Sequence, residues 1–122
     1  MDDLRIARKY TAKADQAKSL GHDFTLSFAE YKRLMLKKTC AYSGIPFADV
    51  INVWASRTLD RVDSSLGYVS GNVVACTHGM NQIKSQAENP KIPIDFKTLA
   101  KGVVKIAAIT EKSLRDKPKE VL

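Results

Sequence analysis

The feature that most constrains the fold is the segment from residue 57 to residue 87, where two short stretches with strand character precede a helical pattern. Arg57 to Asp63 and Asn72 to Ala75 are typical of β-strands, and the loop between them contains two glycines, which adopt backbone angles that other residues resist. A helix is predicted from about Cys76 to Ala87, because Asn89-Pro90 ends the pattern. The segment therefore predicts a β-hairpin followed directly by a helix.

Two helices are predicted before the hairpin. The first runs from Asp3 to Leu20, since apolar residues recur at three- and four-residue steps and Gly21 is a plausible stop. The second begins at Ser27, because Ser27 and Glu30 have the spacing of a capping box, in which each side chain satisfies a backbone amide of the first turn.

A further helix is predicted from Asp95 to about Arg115, with a frayed tail from Pro118 onward. Its apolar residues form one stripe, made of Phe96, Ala100, Val103 and Ala107 with Leu99 and Ile106 beside it. The stripe needs a partner, either the N-terminal helix or a second copy of the chain in a homodimer. We therefore expect an α+β fold of one compact domain, with an N-terminal helix in 1–24, a core in 25–89, and a C-terminal helix and tail in 90–122.

The charge balance favours an anionic partner. Twenty Lys and Arg oppose thirteen Asp and Glu, a formal net charge of +7, which suits nucleic acid, although a solvated basic surface would give the same balance. No apolar run is long enough to span a membrane, and the start Met1-Asp2-Asp3 lacks the layout of a signal peptide, so we expect a cytoplasmic protein. Cys40 and Cys76 are too few for a Cys₄ zinc site and are expected to be buried thiols.

Four polar residues fall at informative places in the strand–loop–strand–helix segment. Asp60 lies near the end of the first strand, Asn72 closes the loop, and His78 and Asn81 share a helical face with Lys84. Taken singly, each has an ordinary explanation: a surface ion pair, a turn former or a polar helix surface. Taken in this order, Asp60, Asn72 and Asn81 favour a site for a hard divalent cation such as Mg²⁺ or Mn²⁺, while His78 is evenly balanced between the two interpretations.

Three stretches carry a resemblance to a known family. Residues 40–47 (CAYSGIPF), 58–74 (TLDRVDSSLGYVSGNVV) and 81–85 (NQIKS) resemble the HNH endonucleases, also called ββα-metal nucleases, and in particular short proteins common in bacteriophages. The resemblance covers roughly residues 25 to 86 and implies a ββα-metal core flanked by the N-terminal and C-terminal helices.

The resemblance also implies roles for individual residues. Asp60 and Asn81 would bind the divalent metal, with His78 as a further candidate ligand, and Asn72 would orient the catalytic residue. Contacts to the DNA backbone are expected from cationic side chains of the hairpin, of its helix and of the second helix: Arg57, Arg61, Lys84, Lys32 and Arg33. The implied function is a divalent-metal-dependent DNA endonuclease or nickase.

The chain departs from the family pattern at two positions. The histidine that acts as general base normally follows the aspartate, but Arg61 stands there, and arginine stays protonated. Either another group such as His78 or Tyr68 supplies the base, or the metal-bound water needs none, or catalysis is lost and Arg61 pairs with a phosphate. In addition, Ser43 replaces the second cysteine of a zinc knuckle that would begin at Cys40, so no structural zinc is expected.

Two other functions remain open from the sequence. One is a catalytically inactive DNA-binding or inhibitory protein with the same fold. The other is a protein-interaction module that uses the apolar stripe of the C-terminal helix.

Overall fold

The computed structural model describes residues 1–116. In chain order, helices α1 (Asp3–Ser19) and α2 (Phe28–Met35) precede strands β1 (Arg57–Arg61) and β2 (Val73–Thr77), which are followed by helices α3 (His78–Ala87) and α4 (Phe96–Asp116). Four helices and a two-stranded antiparallel sheet confirm the predicted α+β class. The predicted tail from Pro118 onward lies outside the described residues.

Side-chain caps fix where the first two helices begin. The Asp2 carboxylate accepts a hydrogen bond from the backbone amide of Arg5 at the start of α1. At the start of α2 both halves of the predicted capping box are present, so the prediction for Ser27 and Glu30 is confirmed. Within residues 1–116, none of the helices combines the length and the apolar character that a bilayer crossing needs.

The hairpin boundaries differ from the prediction. β2 continues to Thr77, beyond its predicted end at Ala75, and α3 begins at His78 instead of near Cys76. The reason is that Cys76 and Thr77 are fully buried and complete the antiparallel ladder opposite the first two residues of β1. Burial in the sheet therefore outweighs the helical pattern at these two positions.

The hydrophobic core lies on one face of the hairpin. Leu59 and Ala75 are directly opposed in the two strands and share this face, where they pack with Ile6 of α1 and Tyr31 of α2. The ring of Tyr10 lies 5.3 Å from that of Tyr31 and closes the cluster. The partly buried side chains packed against this core are Phe24, Phe28, Leu34, Met35, Phe47, Tyr68 and Val73.

The start of α3 lies against the loop that precedes β1. Gly79 donates its backbone N–H to the carbonyl of Trp54 over 2.9 Å, and a Cβ added at Gly79 would come within 2.0 Å of the indole ring. Only glycine permits so close an approach. This contact fixes the N-terminal end of α3 next to residues 49–55.

The described chain divides into two compact units, the first of residues 1–85 and the second beginning at residue 86, and the predicted single compact domain stays a prediction. The boundary lies inside α3. The first unit contains the hairpin, the core and every residue of the predicted site. In the second unit, α4 has no buried residue, and the predicted apolar stripe is present on an exposed helix.

Candidate active site

Asp60 and Arg61 are neighbours in β1, but their side chains make entirely different contacts. Successive strand residues point to opposite faces of a sheet, so one side chain faces α3 and the other faces the side covered by α1 and α2. Asp60 Oδ2 accepts a hydrogen bond from the Tyr42 hydroxyl at 2.6 Å and lies 3.3 Å from Lys84 Nζ. The Asp60 carboxylate is therefore held between the strand, the turn of residues 40–47 and α3.

The ion pair between Asp60 and Lys84 is largely withdrawn from water. The two side chains retain only 11% and 14% of their exposure, respectively. Burying a charge is costly unless it is paired and hydrogen-bonded, and both conditions are met here, since Lys84 Nζ also donates to the Arg61 carbonyl at 3.1 Å. In this structure a cation, the lysine ammonium, thus already lies beside the carboxylate that was predicted to bind metal.

Arg61 fastens the loop between the strands to the segment after α1. Its Nη1 contacts His22 Nδ1 at 3.2 Å and donates to the carbonyl oxygens of Ser64 and Leu66 at 3.0 and 3.1 Å. The guanidinium carbon also lies 5.6 Å from the ring centroid of Tyr68. These contacts direct the Arg61 side chain away from the Asp60 carboxylate and give it a role in positioning the loop.

Asn72 organises the same loop from within. Its Oδ1 accepts a hydrogen bond from the Asp63 amide at 2.9 Å, and its Nδ2 donates to the carbonyl oxygens of Asp63 and Gly67 at 3.1 and 2.9 Å. Asn72 is only 7% exposed, and its amide oxygen and nitrogen are both satisfied. The side chain therefore acts on the loop backbone.

Asn81 and His78 lie at different distances from the carboxylate. Asn81 precedes Lys84 by one helical turn on the same face of α3, is partly exposed, and makes no side-chain hydrogen bond within residues 1–116. His78 is the exposed first residue of α3, six positions before Lys84, or about 9 Å along the helix axis. Asn81 thus shares a helix face with Lys84, the partner of Asp60, whereas His78 lies near the opposite end of the hairpin.

Some of the cationic side chains predicted to contact DNA already make contacts within the protein. Arg57 donates from its guanidinium to the carbonyl of Lys37 and stacks 4.5 Å over the ring of Phe47. Lys32 pairs with Asp3 at 2.8 Å on the surface, and Arg33 is exposed on α2. Arg33 is thus freely presented to solvent, while Arg57 and Lys32 would exchange internal contacts for phosphate.

The donor atoms near Asp60 suit a hard divalent cation. Within residues 1–116 no group of three or more His, Cys, Asp or Glu side chains is close enough to hold an ion. A carboxylate from Asp60 and an amide oxygen from Asn81 nevertheless match Mg²⁺, which keeps several waters and takes further ligands from substrate phosphates. The chemistry of these two donors suits such an ion, and Lys84 is the cation that would compete with it at the Asp60 carboxylate.

Sequence reasoning did not assign a role to Tyr42. This residue lies within residues 40–47, one of the stretches that resemble the HNH endonucleases, and its side chain is exposed in the structure. Its hydroxyl reaches Asp60 across 18 positions of sequence. The detectable clue was a hydroxyl-bearing aromatic residue two positions after Cys40, within the turn-rich stretch of residues 40–47.

Both cysteines are free and buried, as predicted. Burial by itself raises the pKa of Cys40, but hydrogen bonds from Ser43 and from the backbone amides of Thr77 and Tyr42 outweigh it and bring the pKa to about 7. Burial, followed by the nearby charge of Asp60, raises the pKa of Cys76 to about 12. The absence of structural zinc stays a prediction.

Comparison with known proteins adds one relative. No family model matches the chain, and no solved structure matches it. An uncharacterized 29.0 kDa protein from the dda-modA intergenic region of Enterobacteria phage T4 is 36% identical over 81 residues. Those residues are 66% of this chain but 32% of the relative, so the chain spans about a third of that protein's length and is similar to one part of a bacteriophage protein.

Proposed function

We propose that this chain is a divalent-metal-dependent DNA endonuclease or nickase of the HNH type. The observation that carries the proposal is the position of Asp60, a nearly buried carboxylate between the end of β1 and the face of α3 that bears Asn81 and Lys84. An antiparallel hairpin followed directly by a helix is the order of elements expected for a ββα-metal core. The chain is similar to part of a bacteriophage protein, and a phage-encoded nuclease would act in the cytoplasm of the host cell.

In this proposal Asp60 and Asn81 hold Mg²⁺ or Mn²⁺. The ion would supply charge stabilisation at the scissile phosphate and its leaving oxygen. Lys84 has a long, flexible stem and three donors, so it can turn from Asp60 to a neighbouring phosphate oxygen when DNA binds. Asn72 keeps the loop in place, and Arg61 positions the loop and takes no proton, because its guanidinium stays charged.

A second function, DNA binding without cleavage, is favoured by a specific observation. The Asp60 carboxylate already has a cationic partner, and Arg61 occupies the position of the general base with its guanidinium turned to His22. A positioned base contributes on the order of 10²–10⁴-fold to such reactions, so a chain lacking it could retain the fold for binding alone. The two functions differ in whether phosphodiester bonds are broken.

A plasmid-relaxation assay separates the two functions. Purified protein is incubated with supercoiled plasmid and Mg²⁺ or Mn²⁺, with a chelator as control, and the endonuclease is expected to produce nicked or linear DNA. Asp60→Asn should abolish the cleavage, whereas Asp15→Asn, an exposed change on α1, should leave it intact. Circular dichroism of both variants verifies that the fold is retained.

The possible results have distinct meanings. A parent protein that binds DNA but never cuts it with any divalent metal would establish the non-catalytic alternative. An Asp60→Asn variant that cuts as well as the parent would reject the metal site. Binding to DNA should weaken steeply with salt, because each neutralised phosphate releases counterions, and a protein that binds no DNA at low salt would contradict both functions.

A further inference from the structure

Residues 49–55 form an apolar loop that the candidate active site does not use. Ile51 is 78% exposed and Val50 is 58% exposed, and Val53 and Trp54 retain 42% and 48% of their exposure. Four large apolar side chains are thus exposed within seven consecutive residues, and a clustered apolar surface of this kind is a candidate site for contact with a partner.

The loop is held in shape by hydrogen bonds between its backbone and the side chain of Ser56. The buried hydroxyl of Ser56 accepts the Val53 amide at 2.9 Å and donates to the Val50 carbonyl at 2.7 Å. Asn52 has a positive φ of 60°, a conformation that asparagine tolerates better than most residues. Trp54 anchors the loop against Gly79 of α3. Ile51 is thus presented at the tip of a closed loop instead of on a free segment.

A cationic groove adjoins the tip. Arg5, Lys9, Arg57 and His78 line it together with Val50 and Ile51. Asp49, which lies near Arg57, is the one carboxylate among the described residues that line this groove. Neither Arg5 nor Lys9 has an acidic partner for its side chain within residues 1–116.

The positive surface continues along α1. A second groove, with a volume of about 420 Å³, shares Lys9 and Arg57 with the first and adds Lys13. The two grooves together place four Lys and Arg side chains against one carboxylate. This excess of positive charge beside an apolar tip suits DNA, because DNA is a polyanion whose stacked bases present apolar faces between the charged backbones.

We propose that this combined surface binds duplex DNA, with Arg5, Lys9 and Arg57 on the phosphate backbone and Ile51 inserted as a wedge between base pairs. Apolar wedges flanked by cations partly unstack the bases and bend the duplex, and the contacts that bending permits offset the unstacking cost. An acidic protein would satisfy the cations but would not require a projecting tip. The inference rests on the DNA binding proposed above and is independent of cleavage.

The first test measures the salt dependence of DNA affinity. Fluorescence anisotropy with a labelled duplex compares the double variant Arg5→Gln/Lys9→Gln with Arg8→Gln/Lys18→Gln, which removes two charges from exposed positions of α1 outside the groove. Loss of two phosphate contacts should reduce the magnitude of the slope of log association constant against log salt concentration by about 1.8. The ratio of affinities at 50 and 200 mM KCl should therefore fall by about 12-fold in the groove variant, and should be unchanged in the control.

The second test reports on the wedge itself. A duplex containing 2-aminopurine becomes more fluorescent when the base unstacks, so parent protein should raise the signal. Ile51→Ser should remove the increase while largely preserving the salt slope. Leu20→Ser, which alters another exposed apolar residue (65% exposed) at the end of α1, should retain the increase.

Three outcomes would overturn the inference. The first is a parent protein that binds DNA with no change in 2-aminopurine fluorescence. The second is a groove variant whose salt slope equals that of its control. The third is an Ile51→Ser variant whose effect is confined to self-association or capture of an acidic protein. Each of these results would leave the proposed cleavage at Asp60 untouched, whereas a parent protein that gives both binding signals but cuts no DNA would reject the nuclease and support the wedge.

Discussion

Replacing Lys84 with methionine would show how strongly the buried ion pair stabilises the first unit. The change keeps the length of the side chain but removes the ammonium that lies 3.3 Å from Asp60 and donates to the Arg61 carbonyl. The carboxylate would then keep the Tyr42 hydroxyl as its remaining hydrogen-bond donor among these contacts. A nearly buried anion would lose its counter-charge.

The expected cost follows from the burial of the pair. An exposed ion pair contributes about 0–1 kcal/mol, whereas removing one partner of a fully buried pair costs about 3–5 kcal/mol. Because the Lys84 and Asp60 side chains keep 14% and 11% exposure, the pair lies near the buried limit with some solvent screening. We expect Lys84→Met to lower the free energy of unfolding by about 2 kcal/mol, or the melting temperature by roughly 8–16 °C for a unit of this size.

Urea unfolding followed by tryptophan fluorescence is a suitable assay, because Trp54 is the single tryptophan and lies in the first unit. Lys32→Met is the matched control: it removes an exposed pair with Asp3 and should cost less than about 1 kcal/mol. The double variant Asp60→Asn/Lys84→Met should be more stable than Lys84→Met, since it removes both charges together. Equal losses for Lys84→Met and Lys32→Met would refute the reasoning.

The same variant links stability to the proposed metal site. With the ammonium gone, Mn²⁺ should bind more tightly at Asp60 and restore stability, by about 2.7 kcal/mol at a hundredfold excess over its Kd. The parent should respond less, because Lys84 competes with the ion. A variant whose unfolding is insensitive to Mn²⁺ and Mg²⁺ would count against metal binding at this carboxylate.

Three further predictions concern other parts of the molecule. Gly79→Ala should destabilise the first unit by about 1–3 kcal/mol and shift the emission of Trp54, because the new methyl group forces the indole to move. Gly102→Ala, where no atom opposes a Cβ, should instead raise helicity. Equal effects of the two changes would contradict the close contact between Gly79 and Trp54. The pKa of Cys40 is about 7, below its ordinary value, so between pH 7 and pH 9 the unfolded chain binds more protons at this thiol and stability should rise with pH; Cys40→Ala should remove that rise in urea titrations. If α4 mediates a homodimer, Val103→Lys should lower the sedimentation coefficient from that of a dimer to that of a monomer. A parent protein that already sediments as a monomer would reject the dimer.

Local patterns in the sequence predicted most of the secondary structure. The capping box at Ser27 depends on contacts within a few residues, and the strands and the helix after them each have a local residue pattern, so spacing reveals these elements. Strand alternation explains why Asp60 and Arg61, neighbours in β1, face opposite sides of the sheet. The pattern failed at Cys76 and Thr77, where burial in the sheet decided between strand and helix.

Only the tertiary structure decided what each candidate side chain contacts. Arg61 meets His22 across 39 positions of sequence, and Lys84 reaches the Arg61 carbonyl across 23, distances over which no local periodicity operates. The sequence predicted Asp60 as a metal ligand and identified Arg61 at the position of the missing general base. In the folded chain Asp60 pairs with Lys84, and Arg61 contacts His22 and the loop between the strands. Chain connectivity and propensity determine which elements form, whereas the way those elements pack determines which charges are brought together.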